Sequence, residues 1–437
     1  MSADLRPTTV AQASESDVTS KRLLRNTVAN GFGYIGNGLI TLAITPFLLH
    51  RLGVEQYGLW VLALSLTFST GYLALADLGL AEASVKFVAE ARAAGASETI
   101  NAIVSSTLAV FAAIGMLAGG LIAAAVPLLV RLFGVDDHLV HTAQIAFLLM
   151  GFEVVLELPV AALRSVIAGV QSYAWLRTID LGSKVLWAVV AVAVVRQGHG
   201  VVALAGLTLA ATSVRALATL VVAHRLQPGL QIRRRHVDRR TIKMTMGYGS
   251  FVGGLQLLSV IYSQMDRVII AVVISVAAVS RYEVAFRIQS LAVLALTVGS
   301  SAVLPAAAYN AVRADTEKQR QLYIRGSRYS VAISLSVTIG ALMYARWIIE
   351  AWVGADYTNA TNASRLFLVF PILACVNQVG VTMLIGLGRA KRVLVYQTIA
   401  VLTNLVASVL LAPHFGISGV VIGTLLGGLV TWIPYLL

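Results

Sequence analysis

The sequence predicts an all-α integral membrane protein of about twelve transmembrane helices in two six-helix lobes, and three observations carry that prediction. Of the 437 residues, 58% are hydrophobic and 12% charged, against roughly 25% charged in soluble domains; the mean hydropathy is +0.82. Apolar runs close to the about 20 residues that cross a bilayer recur twelve times, at 26–49, 58–83, 103–127, 139–163, 174–195, 200–223, 247–272, 282–304, 329–350, 365–387, 394–412 and 416–437. Lys and Arg divide unevenly among the connections: 24 lie on one side, 6 on the other, and Arg215, Arg267 and Arg287 fall inside spans. Basic loops stay cytoplasmic, so both termini are expected there.

In chain order, residues 1–21 are polar and Ser-rich with no apolar core of a signal peptide, so they read as a disordered cytoplasmic tail. The first lobe covers 22–224. At 100° per residue, Asn26, Asn30, Tyr34, Asn37 and Thr41 form one polar stripe on the first span. The second span ends in LALADLGLAEASVKF, which carries Asp77 and Glu82. An ionised group at bilayer depth costs at least roughly 2.5 kcal/mol on insertion scales, so it faces a bundle interior or a wet cavity. Asp77 is therefore expected inside the bundle, and Glu82, four residues before Lys86, as its ion partner at the interface. Glu153, Glu157 and Arg164 share a face of the fourth span; Thr208, Thr212, Arg215 and Thr219 share one on the sixth. Arg177, Asp180 and Lys184 read as interfacial and structural.

Residues 225–246, with QIRRRHVDRRTIK, form a basic cytoplasmic linker, and 247–437 the second lobe. On the seventh span Gln256, Ser259, Ser263, Asp266 and Arg267 occupy an arc of about 100°; on the eighth Glu283, Arg287, Ser290, Thr297 and Ser301 occupy about 80°. Pro46, Pro159, Pro305 and Pro371 mark kinks that free backbone carbonyls. Similar stretches recur at an offset near 220 residues, such as LFGVDD at 132–137 and WVGADY at 352–357. Six spans per half make these parallel repeats, and two similar lobes imply a cleft between them.

Several functions are disfavoured. The +13 net charge follows topology and attraction to anionic lipid, so no nucleic acid partner is expected. Cys375 is the only cysteine, and the seven histidines lack ligand spacing, so no metal site is expected. There is no phosphate-binding G-x-x-x-x-G-K-[ST] loop. The longest outer connection, about 351–364, is too short for the folded domain of roughly 50 residues that a glycan polymerase or ligase would need.

YGLWVLALSL, ALADLGLAEASVKFVAE, SQMDRVIIAVVIS and AVLPAAAYN together resemble the polysaccharide-transporter branch of the multidrug, oligosaccharidyl-lipid and polysaccharide exporter superfamily, across residues 22–437. The resemblance implies a V-shaped two-lobe carrier in a bacterial inner membrane. Its first, second, seventh and eighth helices would line a cavity that moves a polyprenyl-diphosphate-linked oligosaccharide, and it would not be an enzyme. Asp77 and the Asp266–Arg267 pair carry over from the family pattern. No two further helices follow the twelfth span, which favours an oligosaccharide flippase over a peptidoglycan-precursor flippase; a multidrug cation exporter is the other alternative.

For such cargo, guanidinium forks pair with phosphate oxygens. Arg267, Arg287 and Arg215 are expected to meet the diphosphate, with Arg164 at the cytoplasmic mouth and Asn30, Tyr34, Asn37 and Gln256 on sugar hydroxyls. No cofactor is expected beyond a coupling proton or sodium ion, for which Asp77, Glu153, Glu157, Asp266 and Glu283 are the candidate carboxylates, coupling or structural. Membrane lipids, a polysaccharide polymerase and a chain-length regulator are the expected partners.

Overall fold

The computed structural model describes residues 9–67, 77, 79–300, 316–386 and 390–430. Among them every regular element is helical. Helix α1 (Thr9–Ser65) bends at Gly53, whose φ of 78° and ψ of 172° leave the helical region. Its two arms therefore hold the first predicted span and the start of the second. It also runs back through residues 9–21, expected as disordered tail, where neither Pro nor Gly interrupts it. Then follow α2 (Leu80–Ala93), α3 (Ser97–Leu132), α4 (Val140–Gly169), α5 (Tyr173–Arg196) and α6 (Val201–Leu226).

The second half holds α7 (Arg239–Val273), α8 (Val276–Ser300), α9 (Thr316–Val353), α10 (Thr361–Phe367), α11 (Val369–Gly386) and α12 (Ala390–Val430), the last bent at Gly416. Most predicted spans thus fall on a helix or on one arm of a bent helix, whereas the second is divided between α1 and α2 and the tenth between α10 and α11; the second, eighth, tenth and twelfth run into residues outside those described. Among the described residues, seven helices are long and apolar enough to cross a membrane, or eight if the bent pair Ala355–Cys375 and Asn377–Leu384 is one span.

Connections 225–246 are not a loose linker. Asn101 on α3 donates through Nδ2 to Gly229 O (3.3 Å) and accepts from Gln231 N (2.8 Å), while Ser106 Oγ accepts from Asp238 N (3.0 Å). Asp238 then caps α7, its carboxylate accepting from the backbone N–H groups of Thr241 and Arg240. Bonds from the Thr241 N–H and hydroxyl, then from the Arg240 N–H, hold the Asp238 carboxyl below the ordinary carboxylate range.

The largest apolar core runs through both halves, joining Leu49, Tyr57 and Leu62 of α1 to Ile270, Val279 and Tyr282 of α7 and α8 and Val353 of α9. Polar contacts cross at the same end: Ser280 Oγ donates to Val54 O, and Trp352 Nε1 to Leu42 O at 3.0 Å. A second core, with Val88, Val104, Ile167 and Ala223, belongs to the first half alone. Elsewhere the halves touch where α2 begins. Gly79 has a φ of +73° and packs directly on the α7 backbone, so that a Cβ there would lie 2.7 Å from Gly253 N. Only glycine fits both the left-handed conformation and the approach. Gly79→Val is expected to lose about 1–3 kcal/mol through strain and overpacking, read as a lower melting temperature of the purified protein in detergent. An unchanged melting curve would show that α2 and α7 do not meet as described.

Candidate functional site

A cavity of about 770 Å³ opens mainly within the first half, between α1, α2, α4, α5 and α6, and is closed on one side by Ser263, Gln264 and Arg267 of α7 and Glu283, Phe286 and Arg287 of α8. The expected cleft midway between two equal lobes is therefore displaced into one of them. The reason lies in α7, where Ser263, Gln264 and Arg267 face this cavity while Leu258, Ser259 and Tyr262 line a separate, uncharged pocket of about 230 Å³ in the second half. The helix is a partition.

On the closing side of the large cavity, α8 carries Glu283, whose side chain is 2% exposed. One oxygen accepts from Arg267 (Nε at 3.0 Å, Nη2 at 2.9 Å) and the other pairs with Arg287 Nη2 at 2.7 Å. The expected i,i+4 pair of Glu283 and Arg287 is present, and Arg267 joins it from the neighbouring helix. Arg267 also donates from Nη1 to Ser263 O (2.7 Å) and Gln264 Oε1 (3.1 Å), and its guanidinium lies 4.6 Å from the Phe286 ring centre. Its donors are nearly all engaged within the protein. Asp266 does not accompany it: the carboxylate turns into the second half, where Tyr282 OH (2.9 Å) and Thr424 Oγ1 (2.8 Å) donate to Oδ2. Adjacent positions on a helix point about 100° apart, which separates the two members of the expected pair.

On the first-half wall, Arg215 Nη2 pairs with Glu157 Oε2 at 2.6 Å, and Thr212 Oγ1 donates to Glu153 Oε1 at 3.1 Å. The predicted faces of α4 and α6 thus meet. Arg164 forms a fork with Asp180 (2.7 and 2.9 Å), and Arg177 reaches the same carboxylate at 3.6 Å. Asp77 is 5% exposed, as the sequence implies, and its Oδ1 accepts from Ala81 N at 2.8 Å, capping the start of α2. Glu82 lines the cavity, and Lys86 lies 3.9 Å from Glu90, one turn further along α2.

Asn37 and Thr41 of the α1 stripe line the cavity as expected. The side chains of Asn30, Tyr34 and Gln256 lie outside the described residues. Three cavity residues, Arg177, Asp180 and Lys184, were read from the sequence as interfacial and structural. Lys184, taken there as interfacial, sits eleven residues beyond Tyr173, about 16 Å along the axis of α5. Its Nζ lies 5.1 Å from the centre of the Trp187 ring, which stacks on Trp60 and donates from Nε1 to Thr208 at 3.0 Å. Counting it as a loop residue followed from placing it near the inner end of a span; its spacing from Trp187, one turn on, was the available signal.

The structure also gathers Glu55, Asp136 and His138 at the opposite end, with donor atoms within 4.8 Å, although no ligand spacing marks them in sequence. All three are exposed, and exposed acidic groups commonly cluster without an ion.

The profile of a family described as polysaccharide biosynthesis protein matches residues 48–362. A Shigella flexneri protein assigned as an O-antigen transporter is 23% identical over 379 residues, 84% of this chain and 86% of its own. A Haloferax volcanii protein assigned as flippase AglR is 26% identical over 168 residues, 38% of this chain and 35% of its own. Among solved structures, an inward-facing multidrug resistance transporter of the same superfamily superimposes with a TM-score of 0.77 at 19% identity, covering 92% of this chain and 93% of that one. Its outward-facing counterpart gives 0.69 at 18% identity, covering 95% and 93%. The fold expected from the sequence is the fold found.

Removing one partner of a buried ion pair costs about 3–5 kcal/mol because a charge is stranded. Glu283→Ala strands two guanidinium groups, whereas Arg267→Ala leaves Glu283 with Arg287. Thermal unfolding is expected to show the larger loss for Glu283→Ala; equal losses would contradict a shared carboxylate.

Proposed function

The chain belongs to the polysaccharide biosynthesis protein family, in the polysaccharide-transporter branch of its exporter superfamily, and we propose that it flips a polyprenyl-diphosphate-linked oligosaccharide across a bacterial inner membrane. The observation that carries this reading is a large polar cavity at membrane depth where arginines from α6, α7 and α8 converge. A diphosphate cannot cross hydrocarbon unaided, and this volume offers it fixed cations. Glycosyl hydroxyls would meet Asn37 and Thr41, with the expected Asn30, Tyr34 and Gln256, while the isoprenoid stays in lipid. Multidrug cations are poor cargo for a wall of Arg215, Arg267 and Arg287.

Roles divide by how each arginine is held. Arg287, with 29% of its side chain exposed, and Arg215, with 19%, keep donors toward the cavity. Arg267, with 8% exposed, holds Glu283 in place. Arg164, in its fork with Asp180, guards the inner mouth. Both termini are cytoplasmic in this reading, so the apolar core shared by the two halves seals the periplasmic end. Rocking of the halves about that seal would expose the cavity to either side. Coupling falls to Asp77 or Asp266, which accept from the Ala81 N–H and from the Tyr282 and Thr424 hydroxyls, since Glu157 and Glu283 are already neutralised by arginine; a proton or sodium ion would bind there. A polymerase and a chain-length regulator would receive the cargo.

Reconstituted vesicles with fluorescent lipid-linked glycan provide the test. Arg287→Ala and Arg215→Ala are each expected to slow flipping about tenfold or more, the worth of a charge-assisted hydrogen bond; normal rates in both would remove the diphosphate role. Flipping is further expected to weaken when the proton or the sodium gradient is collapsed, and indifference to both would mean that the cargo moves by mass action.

A further inference from the structure

The cavity carries equal numbers of cations and carboxylates among its described lining residues, but they are not evenly matched. Arg164 and Arg177 share Asp180, Arg215 has Glu157, and Arg267 and Arg287 share Glu283. Lys184 alone among these cations has no carboxylate within ion-pair distance among the described residues. Arg215 of α6 and Arg287 of α8 line the same cavity as Lys184 of α5. Three helices thus bring like charges together around one open volume, which is unfavourable until an anion enters.

We infer that Lys184 is the residue that engages the anionic headgroup of the cargo first, the surrounding arginines being held in place by their carboxylates. This rests on the function proposed above and names the contact that decides selectivity for a diphosphate. The argument is one of availability. An arginine already forked to a carboxylate must exchange that partner to meet phosphate, whereas Lys184 gives up only its position over an aromatic face. Its flexible stem and three rotatable donors can also follow a phosphate that moves, which a planar fork cannot. Trp187 sets the starting point of that stem, because stacking on Trp60 and the bond to Thr208 fix its ring.

The test measures binding of a polyprenyl diphosphate without sugar, of the uncharged polyprenol and of inorganic diphosphate to the full-length protein in detergent, for wild type, Lys184→Gln and Lys184→Arg. Wild type is expected to prefer polyprenyl diphosphate to both controls, Lys184→Gln to bind it about 10- to 100-fold more weakly, and Lys184→Arg to recover most of the loss. Equal binding by Lys184→Gln overturns the inference and leaves the flippase reading standing; no diphosphate preference in wild type removes both. Equal affinity for inorganic and polyprenyl diphosphate overturns the lipid as the source of the headgroup. Should Lys184→Gln fail to fold, mass-spectrometric footprinting of wild type with an amine-acetylating reagent decides. Polyprenyl diphosphate is expected to protect Lys184 and not the exposed Lys243, and unchanged labelling of Lys184 overturns the assignment.

Discussion

A carboxylate that serves two arginines holds the centre of this protein together. Glu283 is almost wholly buried, and each of its oxygens faces a guanidinium, one from α7 and one from its own helix. Charges at that depth persist only when paired and hydrogen-bonded, so the positions of α7 and α8 relative to each other are tied to this contact. Arg267 extends it to the α7 backbone and to the Phe286 ring, and Tyr282, one residue before Glu283, reaches Asp266 on the far side. Two polar centres, one toward each half, are thereby fixed by neighbouring residues on two helices.

That arrangement makes the halves unequal. The first half encloses a large volume lined by ion pairs, and the second a small one lined by Tyr262, Asn377 and Gln397 without charged groups. The apolar core common to both halves lies at one end only, where Trp352 and Ser280 also bond across. Motion that separates the halves must either break that core or pivot on it, and burial favours the pivot.

Much of the site was legible because helical period converts sequence spacing into direction. The faces assigned to α4 and α6 do meet, through Arg215 with Glu157 and Thr212 with Glu153. Asp77 is buried as its cost in lipid requires. Spacing was weaker where neighbours compete: Asp266 and Arg267 were grouped on one arc but part to opposite sides. A one-dimensional pattern ranks partners by separation along the chain and carries nothing about those on other helices.

The sequence by itself determined the class of fold and the set of charged residues that cannot face lipid, because both follow from the cost of polar groups in hydrocarbon. Tertiary structure alone decided which charges neutralise one another, that α7 divides two pockets instead of lining one shared cleft, and that Lys184 lines a cavity with no carboxylate within ion-pair distance among the described residues. Ion pairing depends on distances between helices far apart in the chain, as Glu157 and Arg215 or Arg164 and Asp180 show. Packing sets those distances, and no period along a single helix contains them.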